Sequence, residues 1–553
     1  MIMFSKVTRE QHLERMKEEQ LDVLVIGGGI TGAGIVLDAV TRGLNVGLVE
    51  MRDFASGTSS RSTKLVHGGL RYLAQFDVKT VAEVGKEREI VYQNAPHVTT
   101  PVKMMLPFYK GGTFGSLTTG IGLDIYDRLA QVKKAERKFM LDSEDALKRE
   151  PILQKNNLAG AGVYVEYRTD DSRLTLEVIK KANDLGASLA NYVKVVKLLY
   201  RQDTNQLIGV RVFDEINKEE FTIHAKRIIN AAGPWVDNLR ELDHSKENKY
   251  LHLTKGVHIV VDHKKFPIQN ALYFDTPFND GRMMFAIPRG EKVYVGTTDT
   301  FYEKNPAEPE IKRADVTYIL DAINQMFNIQ ALTIDDIESA WAGVRPLIHQ
   351  AGKDPSEISR RDEIFHSTSG LYSIAGGKLT GYRKMAETIM DQVLKDLSEN
   401  EGIPYLDCQT RTVSLSGGTD CGYPAYDQMI MKLTQQGVTH YNLDKQVAKE
   451  VVAHYGTNAK LVFDFLLEDN PSTLTDICFA KLRYALEYEM TLHPIDFLLR
   501  RTGLMLFDIA ECRAIEAEVI NYMASYYDWN DAQKEKIIAE VATEFERHTQ
   551  FNY

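Results

Sequence analysis

Three glycines and one glutamate near the start of the chain have the types and spacing of a dinucleotide-binding loop. Gly27, Gly29 and Gly32 fit the pattern G-x-G-x-x-G, and Glu50 follows Gly32 by eighteen residues. In this pattern the first glycine permits a tight turn, the second lets the backbone approach a pyrophosphate, and the third lets a helix pack on a strand. The helix N-terminus offers free N–H groups to the phosphates, and the acid accepts hydrogen bonds from ribose hydroxyls. These residues therefore predict a dinucleotide site.

The elements around this loop follow the order that such a site needs. Residues 23–26 read as a buried parallel strand, 35–42 as a helix, and 46–49 as a second strand that ends at the acid. A glycine-rich turn of some other α/β protein is the alternative, and the complete strand–loop–helix–strand–acid unit argues against it. Residues 228–235 read as another buried strand running into a glycine turn, which predicts that the nucleotide domain is assembled from separated pieces.

The rest of the pattern divides the chain into blocks. We expect a leading helix over 5–19, a helix over 77–95, and strands with one helix (172–186) over 160–232, including a hairpin with arms 207–214 and 220–229. A second strand-rich block follows over 252–300, and the chain from 400 onward is expected to be helical apart from residues 408–415. Residues 57–73 are unusually rich in hydroxyls, glycines and cations, so we predict that they do not form an ordinary core element.

Composition narrows the function classes. The 553 residues are 44% hydrophobic and 26% charged, which is typical of a globular protein of two to four domains. The net charge of −11 argues against general nucleic-acid binding. The four cysteines form no C-x-x-C and no metal-ligand spacing, which predicts reduced thiols in a cytosolic protein and no metal site. Residues 1–20 lack the apolar core of a signal peptide, and no run of about 18 apolar residues predicts a membrane span.

Seven stretches match the motifs of one family: 26–34, 57–73, 232–235, 255–258, 296–299, 341–346 and 376–383. In them the chain resembles the FAD-dependent glycerol-3-phosphate dehydrogenases and oxidases, and residues 492–502 resemble that family's helical C-terminal domain. The resemblance implies an α/β fold with a Rossmann-like FAD-binding domain of the glutathione-reductase/D-amino-acid-oxidase type, an antiparallel-sheet substrate (cap) domain and an α-helical C-terminal domain. The expected ranges are 20–100, 153–245 and 340–397 for the FAD-binding domain, 101–152 and 246–339 for the cap domain, and 400–553 for the helical domain.

The resemblance also implies that FAD is bound without a covalent link. The residues expected to contact it are Gly27, Gly28, Gly29, Thr31, Gly32, Glu50, Thr58, Ser59, Ser60, Ser62, Lys64, His67, Gly233, Gly343, Gly377, Lys378, Leu379 and Thr380. For the hydroxyl-rich segment a flexible serine-rich loop is the alternative, and its interleaved cations and glycines argue against that. Lys378 is also a candidate to stabilise the anionic reduced flavin.

The substrate implied by the resemblance is a phosphate monoester with a secondary alcohol. Guanidinium groups suit a phosphate dianion, and the candidate cations are Arg71, Arg345, Arg360 and Lys378. The family's phosphate-contacting arginines fall on Arg345 and Arg360, although the neighbouring Arg361 leaves the register of Arg360 open. Arg71, Tyr72 and Lys378 are expected to orient substrate or flavin. A surface salt bridge is the alternative for each arginine.

Two histidines in matching motifs, His258 and His67, are candidates to accept the hydroxyl proton. A histidine whose pKa is near 6.5 suits that transfer. The alternatives are that one or both bond the flavin or brace a loop, so the choice between them stays open.

The expected activity is oxidation of glycerol 3-phosphate with a membrane quinone as the electron acceptor. An oxidase that uses dioxygen is the alternative, and the family's oxidases resemble one another in a long insertion where this chain has the short 349–358. A non-catalytic or tRNA-modifying flavoprotein is the third hypothesis, which the acidic charge argues against. Homodimerisation is left open.

A quinone acceptor implies peripheral attachment to the inner face of the cell membrane. The candidate surface combines an apolar group with a basic group that follows it in the chain. The apolar residues are Met104, Met105, Leu106, Phe108, Phe114, Leu117 and Ile121, and the basic residues are Lys133, Lys134, Arg137 and Lys138. A buried cap-domain loop beside a solvated charged turn is the alternative. Residues 498–501 are a second candidate basic patch.

Overall fold

The computed structural model describes residues 2–67, 78–112, 137–278, 280–350, 362–419 and 423–551. Its helices are α1 (Lys6–Glu18), α2 (Ile30–Thr41), α3 (Val78–Asn94), α4 (Ser143–Arg149), α5 (Asp171–Asp184), α6 (Val236–Leu242), α7 (Arg313–Met326), α8 (Tyr382–Glu401), α9 (Tyr423–Tyr441), α10 (Lys445–Tyr455), α11 (Ala459–Asp464), α12 (Asp476–Tyr488), α13 (Leu504–Phe507), α14 (Ile509–Tyr526) and α15 (Asp531–Thr549).

The strands run from the N-terminal region to residue 375. They are β1 (Leu21–Ile26), β2 (Val46–Val49), β3 (Leu65–Val66), β4 (Thr99–Tyr109), β5 (Phe139–Leu141), β6 (Leu158–Thr169), β7 (Ser188–Ala190), β8 (Val193–Tyr200), β9 (Leu207–Asp214), β10 (Glu219–Asn230), β11 (Lys249–Asp262), β12 (Ala271–Asp275), β13 (Met283–Arg289), β14 (Lys292–Gly296), β15 (Thr300–Phe301), β16 (Ile337–Gln350), β17 (Glu363–His366) and β18 (Leu371–Ala375).

The first sheet has the order β17-β18-β10-β1-β2-β7, and β18, β10, β1, β2 and β7 run parallel. Strand β10 has two roles. Its first half pairs antiparallel with β9, where Glu219 lies opposite Asp214, and its second half pairs parallel with β1, where Asn230 lies opposite Ile26. The predicted hairpin is therefore confirmed, and its second arm brings the residue 231–235 turn beside the Gly27 loop.

The second sheet has the order β15-β11-β14-β13-β12-β4-β6-β3, with β16 added to β11 and β5 to β6. Of its strands, β3 and β6 lie wholly, and β16 lies mostly, within the ranges that the sequence boundaries assign to the FAD-binding domain. They belong to this sheet because β6 pairs with β4 from Thr99 to Tyr109 and β16 pairs with β11 along nearly its whole length. The domain boundaries remain a prediction, and the sheet to which these strands belong differs from the one that the boundaries imply.

Helices cover both sheets. Apolar residues of β1, β2, α2, α5 and α8 form one core, and a second core joins Tyr164, Tyr294 and Trp341 of the second sheet to Phe479, Phe497 and Met523 of the C-terminal helices. The predicted α/β fold with a helical C-terminal part is thus confirmed. None of the described helices combines the length and apolarity that crossing a bilayer requires.

Burial corrects two predicted surface patches and one prediction about residues 57–73. Met104, Met105, Leu106 and Phe108 are buried in β4, so they cannot form a membrane-facing patch. Arg500 and Arg501 are buried and paired with carboxylates, so residues 498–501 form no basic surface patch. Lys64, Leu65 and Val66 are buried, and β3 adds to the second sheet, so this part of residues 57–73 is a core element. Phe114, Leu117, Ile121, Lys133 and Lys134 lie outside the described residues.

Candidate active site

The glycine-rich loop connects β1 to α2 at the carboxyl end of the first sheet. Gly27 has φ +114°, and a Cβ there would lie 2.6 Å from the carbonyl oxygen of Ala231, so the loop and the β10 turn approach at backbone distance. Helix α2 begins at Ile30 with no side-chain cap, and the N–H of Ile30 donates to Ser59 Oγ at 2.9 Å. Ser59 thus occupies one N–H of this helix end, and the other N–H groups of the first turn, with the positive end of the helix dipole, suit an anion.

A cavity of about 990 Å³ opens over this loop. The predicted cofactor residues that line it are Gly27, Gly29, Thr31, Glu50, Thr58, Ser59, Ser62, Gly233, Gly377, Lys378 and Leu379. Among the described residues predicted to contact FAD, those that do not line it are Gly28, Gly32, Ser60, Lys64, His67, Gly343 and Thr380. Size, apolar walls and a helix N-terminus fit an extended dinucleotide.

Glu50 stands at the end of β2, inside the cavity wall. Its carboxylate accepts hydrogen bonds from the N–H of Gly28 at 2.6 Å and of Arg52 at 2.9 Å. Burial raises the pKa of Glu50 against the effect of these two donors. Beside it lie Val193–Val196 of β8, with Asn238 and Leu242, which sequence analysis missed because no local motif marks this wall.

Residues 57–64 link the cavity to the second sheet. Thr58 Oγ1 donates to the carbonyl of Val344 at 2.6 Å, and Trp341 Nε1 donates to the carbonyl of Ser62 at 3.1 Å. Gly343 lies under this crossing, where a Cβ would be 2.2 Å from the carbonyl oxygen of Arg61. The glycine of the 341–346 motif therefore permits close packing of the two segments.

Asp171 anchors the same segment from the start of α5. It accepts hydrogen bonds from Ser62 Oγ at 2.7 Å and from Lys64 Nζ at 2.5 Å. Lys64 Nζ also donates to the carbonyl of Ser60 at 3.0 Å. Lys64 was expected to contact the cofactor, but its ammonium is held in this buried ion pair. This anchor was not recognised in the sequence, because nothing local pairs residues 62–64 with residue 171.

His258 lies on β11 with its side chain buried at 1% exposure. Its Nε2 is 3.0 Å from Thr63 Oγ1, in the segment that continues from the cavity. Its ring needs the space left by Gly296 on β14, where a Cβ would be 2.3 Å from the ring. Burial, and then the charges of Arg345 and Lys64, lower the pKa of His258 well below its ordinary value, so the imidazole is neutral at pH 7.

Arg345 lies on β16, where it is opposite Thr254 of β11. It follows Trp341, the residue opposite His258, by four positions. Its Nη2 donates to Thr297 Oγ1 at 3.0 Å, and its Nη1 is 3.2 Å from Asp299 Oδ1. Gly256 gives it room, because a Cβ there would be 2.2 Å from Nη2. With its side chain 32% exposed, the guanidinium is partly open to an anion.

At the end of the segment that begins at residue 57, His67 lies close enough to Lys378 to feel its charge. The N–H of His67 donates to Thr380 Oγ1 at 3.1 Å, and that hydroxyl donates back to the His67 carbonyl at 3.2 Å. Burial, then Lys378 and Arg88, lower the pKa of His67 well below its ordinary value. Arg71, Tyr72 and Arg360 lie outside the described residues. Within the described ranges, no group of three or more His, Cys, Asp or Glu is arranged to hold a metal.

The fold and the cavity define a class of protein, the flavin-dependent oxidoreductases. Residues 22–383 match the family described as FAD dependent oxidoreductase, and residues 408–534 match the C-terminal domain of alpha-glycerophosphate oxidase. The chain is 52% identical over 537 residues to an aerobic glycerol-3-phosphate dehydrogenase of Bacillus subtilis (strain 168), covering 96% of each chain. It is 50% identical over 540 residues to the protein of that name from Staphylococcus aureus (strain USA300), covering 97% of this chain and 96% of the relative.

A solved structure gives the same result. The chain superposes with a TM-score of 0.86 on the glycerol-3-phosphate dehydrogenase from Bacillus halodurans complexed with FAD, at 44% identity, covering 100% of this chain and 99% of that one. The chain belongs to the family of FAD-dependent aerobic glycerol-3-phosphate dehydrogenases. FAD is accordingly its cofactor, and the predicted family resemblance is confirmed.

Proposed function

We propose that this protein oxidises sn-glycerol 3-phosphate to dihydroxyacetone phosphate and passes the electrons to a membrane quinone. The observation that carries the proposal is the path of residues 57–63, which line the FAD cavity at Thr58, Ser59 and Ser62 and contact His258 through Thr63. The names of the 50–52% identical relatives support the substrate. When bound, FAD supplies the redox chemistry by accepting a hydride from the carbinol carbon.

In this proposal Arg345 binds the phosphate of the substrate. Its guanidinium is partly exposed and already oriented by Thr297 and Asp299, so little side-chain freedom is lost on binding. A phosphate dianion attracts this cation more strongly than one carboxylate does, and it forms charge-assisted hydrogen bonds with it. Arg71, Arg360 and Lys378 remain predicted partners of the same anion.

His258 accepts the hydroxyl proton at Nε2, the nitrogen that faces Thr63 Oγ1. The low pKa of the buried ring, with Arg345 among its causes, keeps the imidazole neutral before the substrate arrives, and the tautomer that carries its hydrogen on Nδ1 can accept a proton at Nε2. A phosphate bound to Arg345 offsets the positive charge that disfavours the imidazolium. Substrate binding therefore raises the pKa of His258 at the moment when a proton must be taken up. His67 is the alternative acceptor.

The quinone acceptor requires contact with a bilayer. Phe139 and Met140 are 38% and 37% exposed, and they directly follow Arg137 and Lys138 in the chain. Exposed apolar side chains next to cations suit an anionic membrane surface. We propose that these four residues belong to the contact surface, on the inner face of the cell membrane.

The test is anaerobic stopped-flow reduction of the holoenzyme, followed by reoxidation with air or with a short-chain quinone. Glycerol 3-phosphate should bleach the flavin absorbance, and glycerol at the same concentration should not. Reoxidation should be fast with the quinone and slow with air. Rapid reoxidation in air would favour the oxidase, which reduces dioxygen to hydrogen peroxide, and the absence of bleaching would reject the substrate.

A further inference from the structure

A buried group of charges joins the C-terminal helices to the loop that carries Glu50. We name it the Asp53 cluster, and its members are Asp53, Tyr192, Asp496, Arg500 and Arg501. Asp53 follows Glu50 by three residues, and Tyr192 precedes the cavity-lining strand β8. A short π-helix, Asp496–Arg501, follows α12 in the C-terminal part of the chain and supplies Asp496, Arg500 and Arg501. The cluster therefore connects regions that are far apart in sequence.

The contacts around Asp53 are dense. Arg501 donates from Nη1 and Nη2 to its two carboxylate oxygens at 2.6 and 2.8 Å. Arg500 donates from Nε to Asp53 at 2.5 Å and from Nη2 to Asp496 at 2.5 Å. Tyr192 donates its hydroxyl hydrogen to Asp496 at 2.7 Å. Arg500 is thus the bridge between the two acids, and Arg501 is the main partner of Asp53.

This pairing outweighs the cost of burial. The side chains of Asp53 and Asp496 have no exposed surface, and that of Arg500 is 7% exposed. Burial acts to raise the pKa of Asp53, but the charges of Arg501 and Arg500 lower it to about 2. Buried ion pairs of this kind are weak evidence for stability, since well-packed apolar residues often serve as well. Their fixed geometry points instead to a positioning role.

The backbone that this cluster fixes is the wall of the FAD cavity. The N–H of Tyr192 donates to the carbonyl of Arg52 at 2.9 Å, and the N–H of Val193 donates to the carbonyl of Glu50 at 2.7 Å. Glu50 and Val193 both line the cavity, whereas the five cluster members, all of them described residues, do not. The cluster therefore acts on the cavity through these two backbone hydrogen bonds and through the loop 50–53.

We propose that Arg500 and Arg501 are positioning residues for FAD: the C-terminal helices hold Glu50 and the β8 wall in place through Asp53 and Tyr192. The proposal rests on FAD occupying this cavity. It assigns to the C-terminal part of the chain an indirect effect on cofactor affinity, since none of its cluster residues lines the cavity.

Arg500→Gln is the test variant. It removes the bridge: Asp53 stays paired with Arg501, whereas Asp496 loses the cation that it is paired with and keeps the hydrogen bond from Tyr192. Arg500→Lys restores one positive charge, and Tyr192→Phe removes a single hydrogen bond from the cluster. Arg483→Gln is the matched control, because Arg483 pairs with Glu468 in the same helical region and has no contact with loop 50–53 among the described residues. The measurements are FAD release from diluted holoenzyme, followed by flavin fluorescence, and the melting temperature.

We expect Arg500→Gln to weaken FAD binding roughly tenfold, the scale of coupling within one hydrogen-bond network. Tyr192→Phe should weaken it less, Arg500→Lys should recover part of the loss, and Arg483→Gln should lower the melting temperature without changing FAD release. The proposal is overturned if Arg500→Gln and Tyr192→Phe both stay within about twofold of the wild type, or if Arg483→Gln releases FAD as readily as they do.

The variants distinguish a folding defect from a wrong assignment of the cavity. If Arg500→Gln does not fold, Tyr192→Phe decides alone, because it leaves every charge of the cluster in place. If Gly29→Val, whose side chain would intrude on the cavity, keeps its full FAD content, the cavity assignment fails and the inference falls with it, independently of the cluster variants.

Discussion

The ring of His258 stacks on the indole of Trp341, with centroids 4.7 Å apart and planes within 8° of parallel. The two residues lie directly opposite each other on β11 and β16. The same indole donates its N–H to Ser62, a cavity-lining residue, so one side chain fixes both the imidazole and the segment beside the cofactor. The orientation of His258 is therefore set by packing before any substrate binds.

The first prediction concerns the proton acceptor. His258→Gln keeps a polar side chain but no group basic enough to accept the proton, so flavin reduction by glycerol 3-phosphate should slow by roughly 10²–10⁴-fold. FAD content should stay normal. Trp341→Phe is the control, because it retains an aromatic partner and should cost less than about tenfold. Reduction of His258→Gln at the wild-type rate would transfer the role to His67 or to water.

The second prediction concerns the substrate anion. Arg345→Gln should lower kcat/KM by a factor that corresponds to about 2–4 kcal/mol of lost transition-state binding. The reason is that the phosphate loses its paired guanidinium in both ground and transition states. Arg282→Gln is a matched control, since Arg282 donates to the backbone carbonyl of Asp299 rather than to its carboxylate. Steady-state kinetics with a soluble dye give both values. Equal losses in the two variants would contradict a specific role for Arg345.

The third prediction concerns the cofactor loop. Gly29→Val places a branched side chain against Ser59, because even a Cβ at this position would lie 3.0 Å from its Oγ. It also occupies space at the N-terminus of α2, where the pyrophosphate is expected. The purified variant should be folded by circular dichroism but largely colourless. A normal absorbance spectrum near 450 nm, roughly that of any flavoprotein, would place the pyrophosphate elsewhere.

The fourth prediction concerns pH. Burial, and then Arg173, lower the pKa of His454 to about 3, while its unfolded pKa is about 6.5. Between these values the unfolded chain binds a proton that the folded chain does not, so the free energy of unfolding falls as pH decreases below 6.5. His454→Gln should remove up to about 1.4 kcal/mol per pH unit of this slope.

Denaturant unfolding between pH 6.5 and pH 4.5, monitored by tryptophan fluorescence, measures that slope. Gln can still donate to the Arg501 carbonyl, which His454 Nε2 contacts at 2.9 Å, so the variant should fold. His440→Gln is the control for the substitution itself, because that histidine is exposed near the end of α9. An identical slope in wild type and His454→Gln would contradict the prediction, because it would mean that His454 binds a proton equally well in the folded and the unfolded chain.

The fifth prediction concerns the membrane. Replacing Arg137 and Lys138 by Gln should weaken binding to phosphatidylglycerol vesicles by about 1 kcal/mol per cation at low salt. Phe139→Ser with Met140→Ser should weaken it further, and the quinone-linked rate should fall while the rate with a soluble dye is retained. Leu467→Ser, which removes an exposed apolar side chain of the C-terminal helices, is the control. Binding that ignores both salt and these substitutions would exclude this surface.

Local patterns predicted the elements well and their long-range partners less well. The hairpin of β9 and β10 was evident from two apolar arms around a polar turn, and residues 228–235 were expected to belong to the nucleotide domain, but the pattern did not show that one strand serves both. Likewise the apolar residues of β4 suit either a membrane or a core, and Phe108 is buried with its ring against Gly160, its partner on the neighbouring strand β6. Period and composition describe one segment, whereas burial depends on which segment covers it.

The same limit applied to the candidate site. The loop at Gly27–Gly32 and Glu50 was predictable because the whole unit is local. The Asp171 anchor of Ser62 and Lys64, and the Arg500 and Arg501 pairing with Asp53, were not, because these partners lie more than 100 and more than 400 residues apart. An arginine pair beside a leucine pair reads as a surface patch unless its acids are known.

The pairing of Asp53 with Arg501 spans 448 residues, which has a consequence for the order of events during synthesis. At about 5–20 residues per second, Asp53 leaves the ribosome roughly 20–90 seconds before its partner exists. Throughout that interval the carboxylate must stay hydrated, so the turn after β2 cannot close into its final buried form. The nascent chain is therefore expected to reach its full affinity for FAD only after release from the ribosome. A chain terminated near residue 490 should be degraded rather than accumulate as a partially active enzyme.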